Sequence, residues 1–129
     1  MARILVVDDD EDVRELVAWR LTTDGYDVVL ASGFEDALVA MMHDLPDVMV
    51  TDFAMPAHTG EDLLREAAAR FPAMGRILFT GRRDAETRSA RAAAHLVLQK
   101  GCDLAAVSAA VARCLVFLAA PLINVPEPT

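Results

Sequence analysis

Five short apolar runs alternate along the chain with segments whose apolar residues recur at a helical period. The runs are residues 4–7, 28–31, 48–51, 77–80 and 96–98. They are rich in Val, Ile and Leu and do not alternate with polar residues, which is typical of strands buried on both faces of a parallel sheet. Five repeats of strand and helix predict an α/β fold with crossover helices on both faces of the sheet.

The intervening segments predict five helices. Gly25 is expected just after the end of the first, and Pro46 and Pro72 end the second and third. The fourth, residues 84–94, is rich in Ala and Arg and has no large apolar residue. The core-facing residues predicted for the other four are Val13, Leu16, Val17 and Leu21; Leu38, Met41, Met42 and Leu45; Leu63, Leu64, Ala67 and Phe71; and Leu104, Val107, Val111, Leu115 and Leu118.

The length of 129 residues allows one domain, which we predict over residues 1–120, followed by an extended tail over residues 121–129 with three prolines and no output domain. The net charge of −8 disfavours nucleic acid as a partner. No apolar stretch is long enough for a signal peptide or a membrane span. Two cysteines without a metal-binding spacing are expected to be reduced, so we predict a cytoplasmic protein.

Polar side chains follow four of the five predicted strands. Asp8 and Asp9 follow the first strand, Asp52 the third and Lys100 the fifth, while Thr80 ends the fourth. Because ligands of open parallel sheets bind beyond the carboxyl ends of the strands, we expect these side chains to meet at one edge. Carboxylates without a basic partner repel one another, and a hard cation such as Mg²⁺ relieves that repulsion. A carboxylate can also attack phosphorus to form an aspartyl phosphate.

The ordered motifs of the chain resemble the response-regulator receiver domain of two-component signalling. They are ILVVDDD from Ile4, DFAMPAHTG from Asp52 to Gly60, Thr80-Gly81, and Lys100. The resemblance runs from Arg3 to about Leu118. It implies a flavodoxin-like (βα)5 fold, a doubly wound parallel sheet of five strands in the order 2-1-3-4-5.

The resemblance also implies a role for each site residue. Asp52 would be the phosphoacceptor and an Mg²⁺ ligand, Asp9 would bind Mg²⁺ directly, and Asp8 would help through water. The backbone carbonyl of Ala54 would be a further Mg²⁺ ligand. Thr80 would move toward the phosphoryl group, and Lys100 would pair with it. Met55, Pro56 and Gly60 would shape the loop after the third strand, with Gly60 starting the next helix.

A chain of this family would be a phosphorylation switch rather than a turnover enzyme. It would accept phosphate from a sensor histidine kinase or a histidine phosphotransfer protein. With no output domain in the sequence, the signal would pass to a downstream protein by binding or by onward phosphotransfer.

The chain departs from the family pattern between the fourth strand and the last helix. Gly101 follows Lys100 where a proline is usual, Val97 occupies the position of an aromatic residue that moves with the threonine, and the segment between Thr80 and Lys100 is shorter than usual. We therefore expect looser placement of Lys100. We also expect that the signal passes from Asp52 to the protein surface in an unusual way. Either another residue moves, or Thr80 alone changes the adjacent helix.

Two other functions fit parts of the sequence. Haloacid-dehalogenase-type phosphatases use the first Asp of an Asp-x-Asp, which Asp8 and Asp10 match, but Val13 stands near their expected threonine and the chain lacks room for a cap domain. A phosphate-independent adaptor of the same fold is favoured by the departures at Val97 and Gly101 and opposed by the intact acids.

Residues outside the motif have simpler interpretations. Asp10, Glu11 and Asp12 are expected to cap the first helix and favour its N-terminal dipole. Arg82 and Arg83 are expected in an exposed cationic loop, with contact to the phosphoryl group as the alternative. Val116 and Phe117 lie off the core stripe of the last helix, which leaves open a homodimer or partner surface and packing beneath the tail.

Overall fold

The computed structural model describes residues 1–82 and 87–119 and confirms the alternation of strands and helices. The predicted tail, Arg83 and the start of the predicted fourth helix lie outside the described residues. The elements are β1 (Arg3–Val7), α1 (Glu11–Thr23), β2 (Asp27–Ala31), α2 (Phe34–His43), β3 (Val48–Thr51), α3 (Gly60–Arg70), β4 (Gly75–Thr80), α4 (Arg88–Ala93), β5 (Leu96–Gln99) and α5 (Leu104–Ala119).

The strands form one parallel sheet in the order β2-β1-β3-β4-β5, as predicted. Alternate residues of each strand contribute to opposite faces. On one face Ile4 and Val6 pack with α1 and α5. On the other face Leu5 and Val7 pack with α2, α3 and α4. The sheet is therefore covered on both sides, which explains why its central strands are mostly apolar.

The predicted helix stripes were too wide. Leu16, Met42, Leu45 and Leu118 were expected in the core, but all four are exposed. In α1 the fully buried residues are Val17 and Leu21 alone. A helix against a sheet buries a narrow stripe, and an apolar residue at the margin of that stripe stays in solvent.

The outer strands and the fourth helix also differ from expectation. β2 and β5 have one neighbour each, so most of their residues are only half-buried. α4 covers Arg88–Ala93 of the predicted residues 84–94, with Thr87 as N-cap and Ala94 as an extended C-cap, while residues 84–86 lie outside the described part of the chain. Its single buried residue is Ala90. Within the described part of the chain, no helix could cross a lipid bilayer.

Two capping predictions for α1 are confirmed. The Asp10 side chain accepts hydrogen bonds from the backbone N–H groups of Asp12 and Val13. Gly25 has a φ of 97° and follows the C-cap, and the next residue, Tyr26, donates back to the Leu21 carbonyl at 3.1 Å. This left-handed ending favours glycine and turns the chain directly into β2.

Candidate functional site

The site lies at the carboxyl edge of the sheet, where the hydrogen-bond ladder continues past the strands. The backbone N–H of Asp8 donates to Ala31 at 3.2 Å, that of Asp52 to Val7 at 3.0 Å, and that of Lys100 to Thr80 at 3.0 Å. Each of these site residues is therefore fixed to a neighbouring strand rather than placed on a free loop.

Three carboxylates meet at this edge. Oxygens of Asp8, Asp9 and Asp52 all lie within 4.8 Å of one another. Asp8 and Asp52 are 2% and 7% exposed, whereas Asp9 faces solvent. Buried carboxylates at this spacing repel, and oxygen ligands at one open edge suit a hard divalent cation that keeps part of its water. The residues present therefore fit an Mg²⁺ site.

Lys100 reaches into the same cluster. Its Nζ lies 2.9 Å from Oδ2 of Asp8 and 3.2 Å from Oδ1 of Asp52. Gly101 has a φ of 98°, a left-handed conformation that a side chain would strain, so glycine suits the turn after Lys100. The lysine is thus well placed despite the missing proline.

The buried charges shift one another's protonation. Burial raises the pKa of Asp52 above its usual range, and the neighbouring Asp8 carboxylate raises it further, while Lys100 opposes both. Burial lowers the pKa of Lys100, but Asp8 and Asp52 outweigh it and the net shift is upward. The single ammonium is therefore firmly protonated yet does not compensate both acids.

Asp52 is held by one of its two carboxylate oxygens. Oδ1 accepts a hydrogen bond from the Phe53 backbone N–H at 2.8 Å and contacts Lys100. Among the residues that the structure describes, Oδ2 receives no such bond. A carboxylate oxygen with free lone pairs can coordinate a cation or act as a nucleophile.

Asp8 is held in place by the Asp10 backbone and by Arg14, for which the sequence predicted no role. Oδ1 of Asp8 accepts from the Asp10 backbone N–H at 2.9 Å. Nη1 of Arg14 donates to the Asp8 backbone carbonyl at 2.7 Å and so braces the loop between β1 and α1. The spacing of six residues was the only sequence signal for this contact. Asp10, which caps α1, is not part of the carboxylate cluster.

The loop after β3 requires glycine at position 60. A Cβ on Gly60 would lie 2.0 Å from the backbone oxygen of Asp52, far inside van der Waals contact. The Gly60 N–H donates to the Phe53 carbonyl at 2.7 Å. α3 begins at Gly60, as predicted, and its N-cap Thr59 forms a capping box with Asp62. The start of α3 therefore packs directly against the Asp52 backbone.

Thr80 is buried next to an arginine contact that was not foreseen. Its hydroxyl accepts a hydrogen bond from the Arg82 backbone N–H at 3.1 Å. The Arg82 guanidinium lies over the Phe53 ring, with Cζ 5.4 Å from the ring centroid. Arg82 is thus not simply an exposed loop cation. Val97 packs partly buried against the core on the same face as Phe53.

The model of the response regulator receiver domain family matches residues 4–112. The chain belongs to this family. Receiver domains are signalling switches of two-component systems and generally not metabolic enzymes, and they bind Mg²⁺ at an acidic pocket. The three carboxylates grouped here are consistent with such a pocket.

Curated relatives match about half of this chain. The alkaline phosphatase synthesis transcriptional regulatory protein PhoP of Bacillus subtilis is 38% identical over 73 residues, which are 54% of this chain and 30% of PhoP. The response regulator MprA of Mycolicibacterium vanbaalenii is 44% identical over 64 residues, or 50% of this chain and 28% of MprA. The matched part is thus less than a third of either relative.

Solved structures match nearly the whole chain. A CheY-like receiver domain protein from Methanospirillum hungatei is similar with a TM-score of 0.86 and 25% identity, covering 92% of this chain and 96% of its own. The response regulator TrrA of Thermotoga maritima, solved in complex with Mg²⁺ and beryllofluoride, has a TM-score of 0.82 and 29% identity, covering 89% and 100%.

Proposed function

We propose that this chain accepts a phosphoryl group on Asp52 from a sensor histidine kinase or a histidine phosphotransfer protein. The observation that carries the proposal is the Asp52 carboxylate itself. It is buried and grouped with Asp8 and Asp9, and Lys100 lies 3.2 Å from one of its oxygens. A buried carboxylate with one oxygen held, and with no hydrogen bond to the other from the part of the chain that the structure describes, is suited to attack on phosphorus.

The proposed reaction is a single displacement at phosphorus. Oδ2 of Asp52 attacks the phosphorus of a phosphohistidine, a new O–P bond forms, and the P–N bond breaks with its electron pair leaving on the imidazole. The product is an acyl phosphate. The ammonium of Lys100 already contacts Oδ1 and pairs with the negative charge that develops on the phosphoryl group. Thr80 can donate its hydroxyl proton to a phosphoryl oxygen.

Asp8, Asp9, Asp52 and the backbone carbonyl of Ala54 would hold Mg²⁺ in this proposal, with Asp8 contributing through water. When bound, the cation neutralises charge on the transferring group. The protein's own part is to hold the carboxylates: the Asp10 N–H and Arg14 orient Asp8, and the Phe53 N–H orients Asp52.

We propose that the signal leaves the chain by contact with a downstream protein or by onward phosphotransfer, with no role for nucleic acid.

A reducing, cytoplasmic location is supported by Cys102 and Cys114, which are both free thiols. Val116 and Phe117 on α5 are 73% and 84% exposed. They are the surface at which a homodimer or partner contact is to be sought.

Intact-protein mass spectrometry after treatment with acetyl phosphate tests the phosphoacceptor. Wild type is expected to gain one phosphoryl group with Mg²⁺ and none with EDTA. Asp52→Ala is expected to gain none, whereas Asp12→Ala, which removes an exposed acid of α1, behaves as wild type. A phosphoryl group retained by folded Asp52→Ala would contradict the proposal.

Locating the label, together with a beryllofluoride binding measurement, separates the two alternatives. A dehalogenase-type phosphatase would be labelled on Asp8 and would use Asp10, but Asp10 is committed to capping α1. A phosphate-independent adaptor would take up neither acetyl phosphate label nor beryllofluoride in the presence of Mg²⁺.

A further inference from the structure

Arg82 joins the site to the fourth helix through its backbone. Its N–H donates to Oγ1 of Thr80 at 3.1 Å, and its carbonyl accepts a hydrogen bond from Nη2 of Arg91 at 2.8 Å. Thr80 ends β4, and Arg91 lies in α4. One residue therefore lies between the buried hydroxyl at the site and a side chain of the helix.

Arg91 links the Arg82 carbonyl to the first residues of α4. Its Nε donates to Oγ1 of Thr87 at 3.2 Å while its Nη2 holds the Arg82 carbonyl. Thr87 is fully buried and is the N-cap of α4. Ala90 is the one buried residue of the six in α4, and these polar contacts add to the packing of α4 against α3 in fixing its placement.

The side chain of Arg82 forms a second connection to the phosphoacceptor. Its guanidinium lies over the Phe53 ring, and the Phe53 N–H donates to Oδ1 of Asp52. The ring is 6% exposed and packs in the same core cluster as Ala90 and Val97. Movement of Asp52, through Phe53, and movement of Thr80 would therefore both alter the contacts of Arg82.

We infer that Arg82, through Arg91, couples phosphorylation of the site to the position of α4. This contact takes the place of the moving aromatic residue that the family usually has at the position of Val97. The inference rests on the proposed phosphorylation of Asp52. The Thr80 hydroxyl that turns to donate to a phosphoryl oxygen moves its own oxygen away from the Arg82 N–H. Loss of that bond releases the Arg82 N–H from Thr80, and the Arg82 carbonyl transmits the shift to Arg91 and to the start of α4.

Amide hydrogen exchange by NMR, with beryllofluoride and Mg²⁺ as the probe, measures this coupling directly. In wild type, the Arg82 amide and the amides of α4 are expected to exchange about two- to tenfold faster with the probe than without it, the range given by loss of one hydrogen bond. Unchanged protection of the Arg82 amide in protein that has bound beryllofluoride would overturn the coupling. This measurement needs no variant.

Arg91→Gln removes the guanidinium that holds the Arg82 carbonyl, and Arg88→Gln is the matched control. Arg88 is an exposed arginine of the same helix, so the charge change is identical. Both variants are expected to bind beryllofluoride as wild type does by ¹⁹F NMR. The probe-induced change in α4 exchange is expected to disappear in Arg91→Gln and to persist in Arg88→Gln. An equal α4 response in the two variants would overturn the role of Arg91.

Arg91→Lys keeps a cationic donor and is expected to restore part of the α4 response, which a purely structural loss would not show. The outcomes also separate this inference from the function beneath it. Wild type that takes up no beryllofluoride overturns both together. Wild type that takes it up with no change at Arg82 or α4 overturns the coupling alone.

Discussion

Lys100 places its Nζ 3.2 Å from Oδ1 of Asp52, at a point where it also contacts Asp8. It is the only lysine of the chain, and its side chain is only 24% exposed. One cation thus serves two buried carboxylates. This arrangement leaves the site short of positive charge, and that shortage leads to measurable consequences for stability and metal binding.

Lys100→Met is expected to lower the free energy of unfolding by about 1–3 kcal/mol in EDTA, because two buried carboxylates lose their charged partner. Mg²⁺ is expected to recover much of the loss. Urea unfolding with EDTA and with Mg²⁺ measures both effects. Arg113→Met, which removes an exposed cation from α5, is the control and should change little in either condition. Equal stability of Lys100→Met and wild type in EDTA would contradict the arrangement.

Asp52→Asn is expected to stabilise the protein by about 1 kcal/mol in EDTA, because burial and the Asp8 carboxylate both disfavour the ionised Asp52 side chain. Added Mg²⁺ should stabilise wild type more than the variant. Asp103→Asn, at an exposed position whose side chain accepts the Ala105 N–H, should leave stability unchanged. Destabilisation by Asp52→Asn in EDTA would show that the acids do not repel as described.

The sequence predicted the strands and the gathering of Asp8, Asp52, Thr80 and Lys100, because parallel strands bring their carboxyl ends to one edge whatever the loops do. The order of the strands followed from the resemblance to receiver domains. It did not predict that Leu16 and Met42 are exposed, since a period of 3.6 residues gives the direction of a buried stripe and not its width.

The contacts of Arg14 and Arg82 could not be predicted from the sequence either. A long side chain that reaches a backbone carbonyl or an aromatic ring depends on the path of the intervening loop, which no periodicity specifies. The ends of α4 could not be placed from the sequence either, because alanines define no apolar stripe.

His95 gives the protein a dependence of stability on pH. Its Nδ1 accepts the Arg76 backbone N–H at 2.9 Å, so the neutral ring is the form that fits. Burial lowers the pKa of His95, and the Arg76 charge lowers it further. Because the folded state disfavours the proton, this contribution is present above the usual imidazole pKa of about 6.5 and is lost as the pH falls through the lower folded value.

His95→Asn keeps an acceptor for the Arg76 N–H without a titrating ring, so it isolates this contribution. Free energies of unfolding at about pH 7.5 and pH 5.5 are expected to differ less in the variant than in wild type. His43 and His58 are common to both proteins and cancel in the comparison. A pH dependence that is the same in the two proteins would rule out the contribution of His95.

Ala57, in the loop between Asp52 and α3, has a φ of 68°. A side chain costs about 1 kcal/mol in this left-handed conformation, so Ala57→Gly is expected to raise the free energy of unfolding by a comparable amount. Ala109→Gly, at an exposed position inside α5, is the matched control and should lower it by about 1 kcal/mol. Thermal or urea unfolding measures both, and a loss of stability in Ala57→Gly would refute the strain.

The most direct test of the account is to locate the phosphoryl group within the chain. Protein treated with acetyl phosphate and Mg²⁺ is reduced with borohydride, which converts an aspartyl phosphate to homoserine, and the peptides are sequenced by mass spectrometry. The account predicts homoserine at position 52 alone. Homoserine at position 8, or unmodified Asp52 in protein that has gained a phosphoryl group, would contradict it.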